Sequence, residues 1–527
     1  MEEKHFSNIF SLISSLVTPL INFTKLGMII PLLLSLLFLN FIKTTIMNLL
    51  PPKSTKIPRS YPLIGSLFTI TANNHRRIQW IADVLATTPT LTFVLRRPLG
   101  YAQVFTANPA NVEHVLKSRF HVYEKGDISK AALYDLMGRG IFNVDGPTWK
   151  FQRQVASYEF STKSLRKFVG TVVDAELAGR LVPVLDAAVE RGGVVDMQDV
   201  LQRFAFDNIC KIAFGYDPEY LLPDLPNAKL AVAFDESMRI ISERFNSAMP
   251  LVWKVKRALN VGSERKLREV VGQVRGFARR LIREKRVELV GKSPTQDSID
   301  LLSRFLTSGH SDDDELITDI VISYILAGRD TTSAAMTWFF WLVFKHPAVE
   351  DEIVREVAAA AAETPVYDEM KEMVYTHAAL CETMRLYPPV PVDTKSAAAD
   401  DVLPDGTAVK KGTRVSYHPY AMGRVEAVWG EDWRQFRPER WLGTDSATGK
   451  RVFTGKDPFK YPVFQAGPRV CLGKELAMLQ MKRVVAGVLR RFRVVPAMGD
   501  GFVPEYTADM TSKMKGGFPV RIVRRHI

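Results

Sequence analysis

The stretch Phe464-Gln-Ala-Gly467-Pro-Arg469-Val-Cys471-Leu-Gly473 constrains this 527-residue chain more than any other. It sets a cysteine in an irregular segment, with glycine on both sides, and leads into an amphipathic run expected to be helical from Leu472. Glycines at such points let the backbone approach a flat body closely. A helix N-terminus and nearby backbone N–H groups stabilise a thiolate. Arg469 is placed to meet an anionic group bidentately.

The other two cysteines, Cys210 and Cys381, lack such surroundings and are expected to be packing residues. A sparse, odd set of cysteines excludes a disulfide framework and fits a chain that faces the reducing cytosol. The formal net charge of +13 is concentrated near both ends, with Lys25, Lys43, Lys53, Lys56 and Arg59 at one and Lys482, Arg483, Arg490, Arg491 and Arg493 at the other. No module or zinc spacing for nucleic acid accompanies it, so a membrane surface or an acidic protein is the expected partner.

Residues 6–24 and 26–42 carry no charge, and the second stretch approaches the roughly 20 residues that cross a bilayer. Lys43, Lys53, Lys56 and Arg59 follow it, which by the positive-inside rule leaves the remainder in the cytosol. Residues 1–50 are therefore expected to be a membrane anchor region and 51–60, with Pro51, Pro52 and Pro58, a stiff basic hinge. One large domain follows over 61–527. Helical periodicity dominates it from Asn111, with amphipathic runs at 174–190, 264–290, 316–344 and 472–492. Strand-like runs are few (91–95, 103–105, 413–417, 518–522), so the expected fold is mainly α with a small β portion.

A second motif, Ala327-Gly328-Arg329-Asp330-Thr331-Thr332, falls inside the apolar run 316–344. A mid-helix glycine costs about 1 kcal/mol against alanine, so Gly328 wants a reason. Removing bulk at Ala327 and Gly328 makes room for a ligand, while Thr331 and Asp330 can open the helix locally and relay protons. Glu382 and Arg385 lie one helical turn apart and can pair, as can Trp149 and Arg153 point the same way.

Together these segments resemble the cytochrome P-450 superfamily. The cysteine stretch is similar to its haem-binding loop FxxGxRxCxG at every fixed position, and residues 327–332 to its oxygen-binding helix motif. The resemblance implies a haem b whose iron is held by Cys471, a loop built by Phe464, Gly467 and Gly473, and propionates met by Arg469, Trp149, Arg153 and Lys395. It implies that Thr331 hydrogen-bonds dioxygen and that Asp330 delivers protons. The segment Pro438-Glu439-Arg440-Trp441, where the family has Phe last, implies a buried structural cluster of Glu382, Arg385 and Arg440.

Further residues around 142–153, 325–341 and 464–469 are similar to the plant fatty-acid ω-hydroxylase clan. This implies a monooxygenase that hydroxylates at or near the end of an aliphatic chain, with Ala327, Val390, Pro391, Val392 and Met510 lining the pocket. Phe245 and Met249 would belong to a lid. Jasmonoyl-isoleucine or a sterol side chain are alternative substrates, and a hydroperoxide isomerase or dehydratase, or a non-catalytic haem protein, alternative functions. Electrons would come from NADPH through a diflavin reductase on the same endoplasmic reticulum membrane. Arg469, Lys474, Lys482 and Arg483 are candidates for its docking face.

Overall fold

The computed structural model describes Ser35 and residues 57–525, apart from 226–228, 248, 291–299, 310, 360–365, 500 and the side chains of Leu99 and Ala508. The expected anchor thus lies, but for Ser35, outside the described residues, among which no helix is long and apolar enough to cross a membrane.

The fold is organised on one helix, Asp314–Lys345, of 32 residues. At 1.5 Å per residue it runs about 48 Å. Asp313 caps it, accepting from the Leu316 N–H, with Asp314 and Glu315 in the first turn and Lys345 in the last, each matched to the helix dipole. Nearly every residue from Leu316 to Val343 is buried, as an apolar sequence without a polar stripe requires. Met197–Phe214 lies against it, capped by Asp196 and ended by Gly215 at φ +63°. The amphipathic helix Ser263–Leu289 packs its Leu267, Val270, Val271, Val274, Ala278 and Leu281 face on the same side.

The β portion is peripheral. Five strands run in the order Thr92–Arg96, Ala102–Thr106, Arg414–Tyr417, Asp393–Ala397, Tyr123–Glu124, with only the second and third parallel. Phe492–Pro496, Pro519–Arg524 and Val194–Asp196 form a smaller antiparallel sheet.

Three expectations need correction. Helix Arg77–Ala86 precedes Asn111; its buried Ile78, Trp80, Ile81, Val84 and Leu85 follow helical spacing too short to stand out in sequence. The run 174–190 is not one helix, since wider π-type turns occupy Leu177–Leu181 before Val182–Arg191. Pro183, which has no N–H to give, sits at that junction. The helix after the cysteine begins at Lys474, not Leu472.

Candidate active site

Cys471 sits deep in the fold, yet its own surface is free of protein, unlike the packed Cys210 and Cys381. The preceding loop turns at Gln465 and Gly467, both at positive φ. Gly467 is required there twice over, because a Cβ would stand 2.2 Å from the Leu116 carbonyl oxygen. Burial pushes the Cys471 thiol up, against the pull of the Gly473 N–H, Arg153 and Lys474. The backbone and cations expected to favour a thiolate are thus present but do not suffice alone; a bound metal deprotonates a coordinating thiol outright.

Around the loop, cations gather. Arg469 lies with its guanidinium 4.5 Å from the Trp149 ring centroid, and Arg153 packs on the same ring at 5.8 Å. Arg469 also donates to Asp145 at 2.6 Å and to the Val144 carbonyl at 3.0 Å, a carboxylate of the chain itself. Lys395 pairs with Asp393 at 2.9 Å. Burial raises the Asp393 carboxyl, but the Lys395 and Lys125 ammoniums overcome it and hold it well below the usual carboxylate range. Lys125, which sequence reading missed, makes no side-chain hydrogen bond or ion pair among the described residues; burial, then repulsion from Lys395, lowers it to about 7.

The long helix presents its open face here. Between Leu316 and Val343 only Ala327, Gly328 and Thr331 are not buried. Tyr324, one turn earlier, is subject to the charges of Arg153 and Cys471, and its hydroxyl is buried with no hydrogen-bond partner among the described residues. Thr331 Oγ1 donates to the Ala327 carbonyl at 2.7 Å, and the helix runs on unbroken, so the expected local opening is not seen. Gly328 has another purpose than ligand room: a Cβ there would stand 2.5 Å from Ile209, so the glycine lets Met197–Phe214 approach.

Asp330 is not solvated. It is buried, bonded on one oxygen to Arg329 at 2.9 Å, and its Oδ2 has no hydrogen-bond partner among the described residues. Burial raises its pKa against the pull of Arg329. Arg329 reaches Asp235 at 2.8 Å, which also takes Lys513 at 2.9 Å, so a charged chain leads from Asp330 to the half-exposed Asp235. Neither partner was legible, because 94 and 183 residues separate Asp235 and Lys513 from the motif (329 − 235; 513 − 330).

The hairpin Tyr506–Ala508/Ser512–Met514, whose turn carries Met510, is tied to the segment of Val390 by the Ser512 N–H, which donates to the Pro389 carbonyl at 2.8 Å. Val392 packs against the core, and Ala327 is half-buried. Phe245 lies under Arg414 at 4.6 Å, and Met249 is exposed.

Behind the site, Glu382 is wholly buried and accepts from Arg385 (2.8 Å from both Nε and Nη2), Arg440 Nε (2.8 Å), the Arg437 N–H (3.0 Å) and Trp441 Nε1 (2.8 Å). The Trp where the family has Phe adds a donor. Trp441→Phe should cost about 1.5–3 kcal/mol, a hydrogen bond to a charged acceptor, by urea unfolding; a loss well under 1 kcal/mol would mean that Glu382 does not use the indole.

A single deep thiol with an open surface, ringed by more cations than anions and faced by a gap in an otherwise sealed helix, suits a flat anionic macrocycle bound through sulfur. That is the arrangement of a haem-thiolate protein. Residues 56–518 match the model of the family described as Cytochrome P450, and the chain belongs to that family. It is 62% identical to Cytochrome P450 94A2 of Vicia sativa over 483 residues, 90% of this chain and 94% of that one. It is 56% identical to Cytochrome P450 94A1 of Vicia sativa over 469 residues (89% and 91%), and 47% identical to Cytochrome P450 94B3 of Arabidopsis thaliana over 500 residues (94% and 98%). The chain is thus a P450 monooxygenase of the 94 group, with haem as its cofactor.

Proposed function

We propose that this chain hydroxylates the end of an aliphatic chain, with a fatty acid as substrate. The observation that carries the reading is the open face of Ala327 and Thr331, backed by the buried Asp330, on a helix that passes the Cys471 loop. Cys471 would hold the iron, and Arg469, Trp149, Arg153, Lys395 and Lys125 the propionates. When bound, the haem activates dioxygen and supplies the oxidant for an unactivated C–H bond.

The chain's own part is control of protons and water. One oxygen atom enters the C–H bond and the other leaves as water, which takes two electrons from NADPH and two protons. Thr331 Oγ1, whose hydrogen is turned to Ala327, keeps lone pairs toward the open face and can hold a water there. Asp330, raised by burial, can pick up a proton more readily than an exposed carboxylate and pass it on. Arg329 holds its other oxygen fixed. Val390 and Met510 would keep the site apolar and exclude bulk water.

Electrons would arrive from a diflavin reductase. Of the four bases proposed for its docking, only Lys474 is exposed: Lys482 is buried on the Met370 carbonyl, while Arg469 and Arg483 are engaged by Asp145 and Asp174. Lys117, whose backbone packs on Gly467, and Lys460 are exposed nearby and join Lys474 in the docking face. Exposed Met249, Leu251, Val252, Val255 and Leu259 supply an apolar patch for the endoplasmic reticulum membrane, in addition to the expected anchor in residues 1–50.

The test is stoichiometry. Reconstituted with reductase, NADPH and dodecanoic acid, the protein should form hydroxylated acid and consume matching NADPH. In Thr331→Ala, NADPH use should continue while product per NADPH falls about tenfold or more, with peroxide released, since a proton-delivering group is worth that much or more. Unchanged coupling would remove Thr331 from this role, and no oxidation of any aliphatic acid would overturn the function.

A further inference from the structure

Three arginines far apart in sequence meet away from the cysteine loop. Arg77 opens the helix Arg77–Ala86, Arg97 follows the strand Thr92–Arg96, and Arg414 begins the strand Arg414–Tyr417. None makes an ion pair with a carboxylate among the described residues. Arg97 bonds only neutral groups, Gln103 Oε1 at 2.9 Å and the Ser247 carbonyl at 3.1 Å; Arg77 reaches Asn74 Oδ1 at 3.3 Å. Arg414 is 6% exposed, its guanidinium sits 4.6 Å from the Phe245 ring, and its Nε has no hydrogen-bond partner among the described residues.

Such a group is unstable as it stands. Burial lowers Arg77 and Arg97 to about 10 and Arg414 to about 9, and mutual repulsion adds to the fall at Arg77 and Arg414. All three still carry charge near neutrality. Asp509 draws Arg77 the other way, but forms no ion pair with it. Arg414, buried and without a counter-charge among the described residues, carries a desolvation cost that no neighbouring anion offsets, and the half-buried Arg77 and Arg97 beside it add like charge.

The place is as informative as the charge. Gln79 ties the helix of Arg77 to the Tyr506 carbonyl, hence to the hairpin that carries Met510, and Arg97 ties the sheet to the end of the helix Lys229–Asn246. Arg414 pairs across the sheet with Ser396, on the strand that leads from Val390 and Val392. At about 3.3 Å per residue, Ser396 stands about 10 Å along that strand from Asp393. A chain held at the arginines can therefore run past Phe245 and Met510 toward Val390 and Ala327.

We infer that Arg77, Arg97 and Arg414 bind the carboxylate of the substrate, at the opposite end of the molecule from the carbon that is oxidised. The inference rests on the aliphatic-chain reading above and sharpens it. Guanidinium groups bind carboxylates through paired, charge-assisted hydrogen bonds, and Arg414 Nε is a donor in want of an acceptor. A fatty acid or jasmonoyl-isoleucine carries that acceptor. A sterol does not, and is excluded as the preferred substrate.

The experiment compares dodecanoic acid with its methyl ester on the full-length holoenzyme. Binding is read from the substrate-induced shift of the Soret band, and KM and kcat from hydroxylation. The parent should bind the acid about tenfold or more tightly than the ester. In Arg97→Gln and Arg414→Met that ratio should collapse toward unity, by weaker acid binding and higher KM, with ester binding and the carbon monoxide band unchanged. Arg414→Lys should regain part of it. Arg77→Gln and Arg97→Gln, being only partly buried, keep the test open should Arg414→Met not fold. Acid and ester bound alike by a parent that hydroxylates both would overturn the carboxylate site alone. Neither bound nor hydroxylated would overturn the aliphatic reading, and this inference with it.

Discussion

Cys471→Ala is expected to abolish both the thiolate-type Soret band of the reduced carbon monoxide complex and all hydroxylation. The reason is that no other sulfur can take its place. Cys210 and Cys381 are packed in the core, and burial pushes the Cys381 thiol up to about 12. Cys471 alone combines an open surface with Gly473 N–H, Arg153 and Lys474 to oppose its own desolvation. The substitution keeps Cβ and removes an atom that packs on little, so the fold should persist and far-ultraviolet circular dichroism should match the parent. A red-shifted band surviving in the variant would sink the ligand assignment.

Glu382→Ala should have the largest effect on stability, about 3–5 kcal/mol, because it leaves Arg385 charged and buried with no carboxylate and takes one of two from Arg440, which keeps Asp432. Glu382 takes five donors, from Arg385 twice, Arg440, the Arg437 backbone and the Trp441 indole. Arg385 spends its remaining donors on the Gly423, Trp433 and Gln435 carbonyls at 2.5, 2.8 and 3.0 Å, so it has nowhere to turn. Given that folded proteins hold only about 5–15 kcal/mol in all, little folded holoprotein should accumulate. Urea unfolding of whatever is recovered, or haem yield per unit of chain, reads the effect. A midpoint within that of a 1 kcal/mol change would show that the cluster is not a unit.

The parts of the site that lie on one stretch of chain were legible in sequence, and those assembled across it were not. The Cys471 loop, the Ala327–Thr332 segment and the Glu382/Arg385 spacing are local patterns, and local backbone needs, such as a Gly467 pressed on Leu116, leave local marks. Gly328 was misread, since nothing in its neighbours says that Ile209 will lie against it. Lys482 looked like a surface base and is buried on the Met370 carbonyl, because charge in a sequence does not say which face of a helix meets the core. Asp235, Lys513 and the three arginines are ordinary surface-type residues until tertiary packing brings them together. The main helices were found by their apolar pattern, while Arg77–Ala86 was hidden by its short length.

Locating the new hydroxyl decides which end of the substrate this protein oxidises. The full-length protein, reconstituted with a diflavin reductase and NADPH, is offered fatty acids of graded length, jasmonoyl-isoleucine and sterols, and the products are mapped by mass spectrometry. The new hydroxyl is expected at or next to the terminal carbon of a carboxylate-bearing chain. Oxidation beside the carboxylate, or of sterols with the acids untouched, would contradict that expectation.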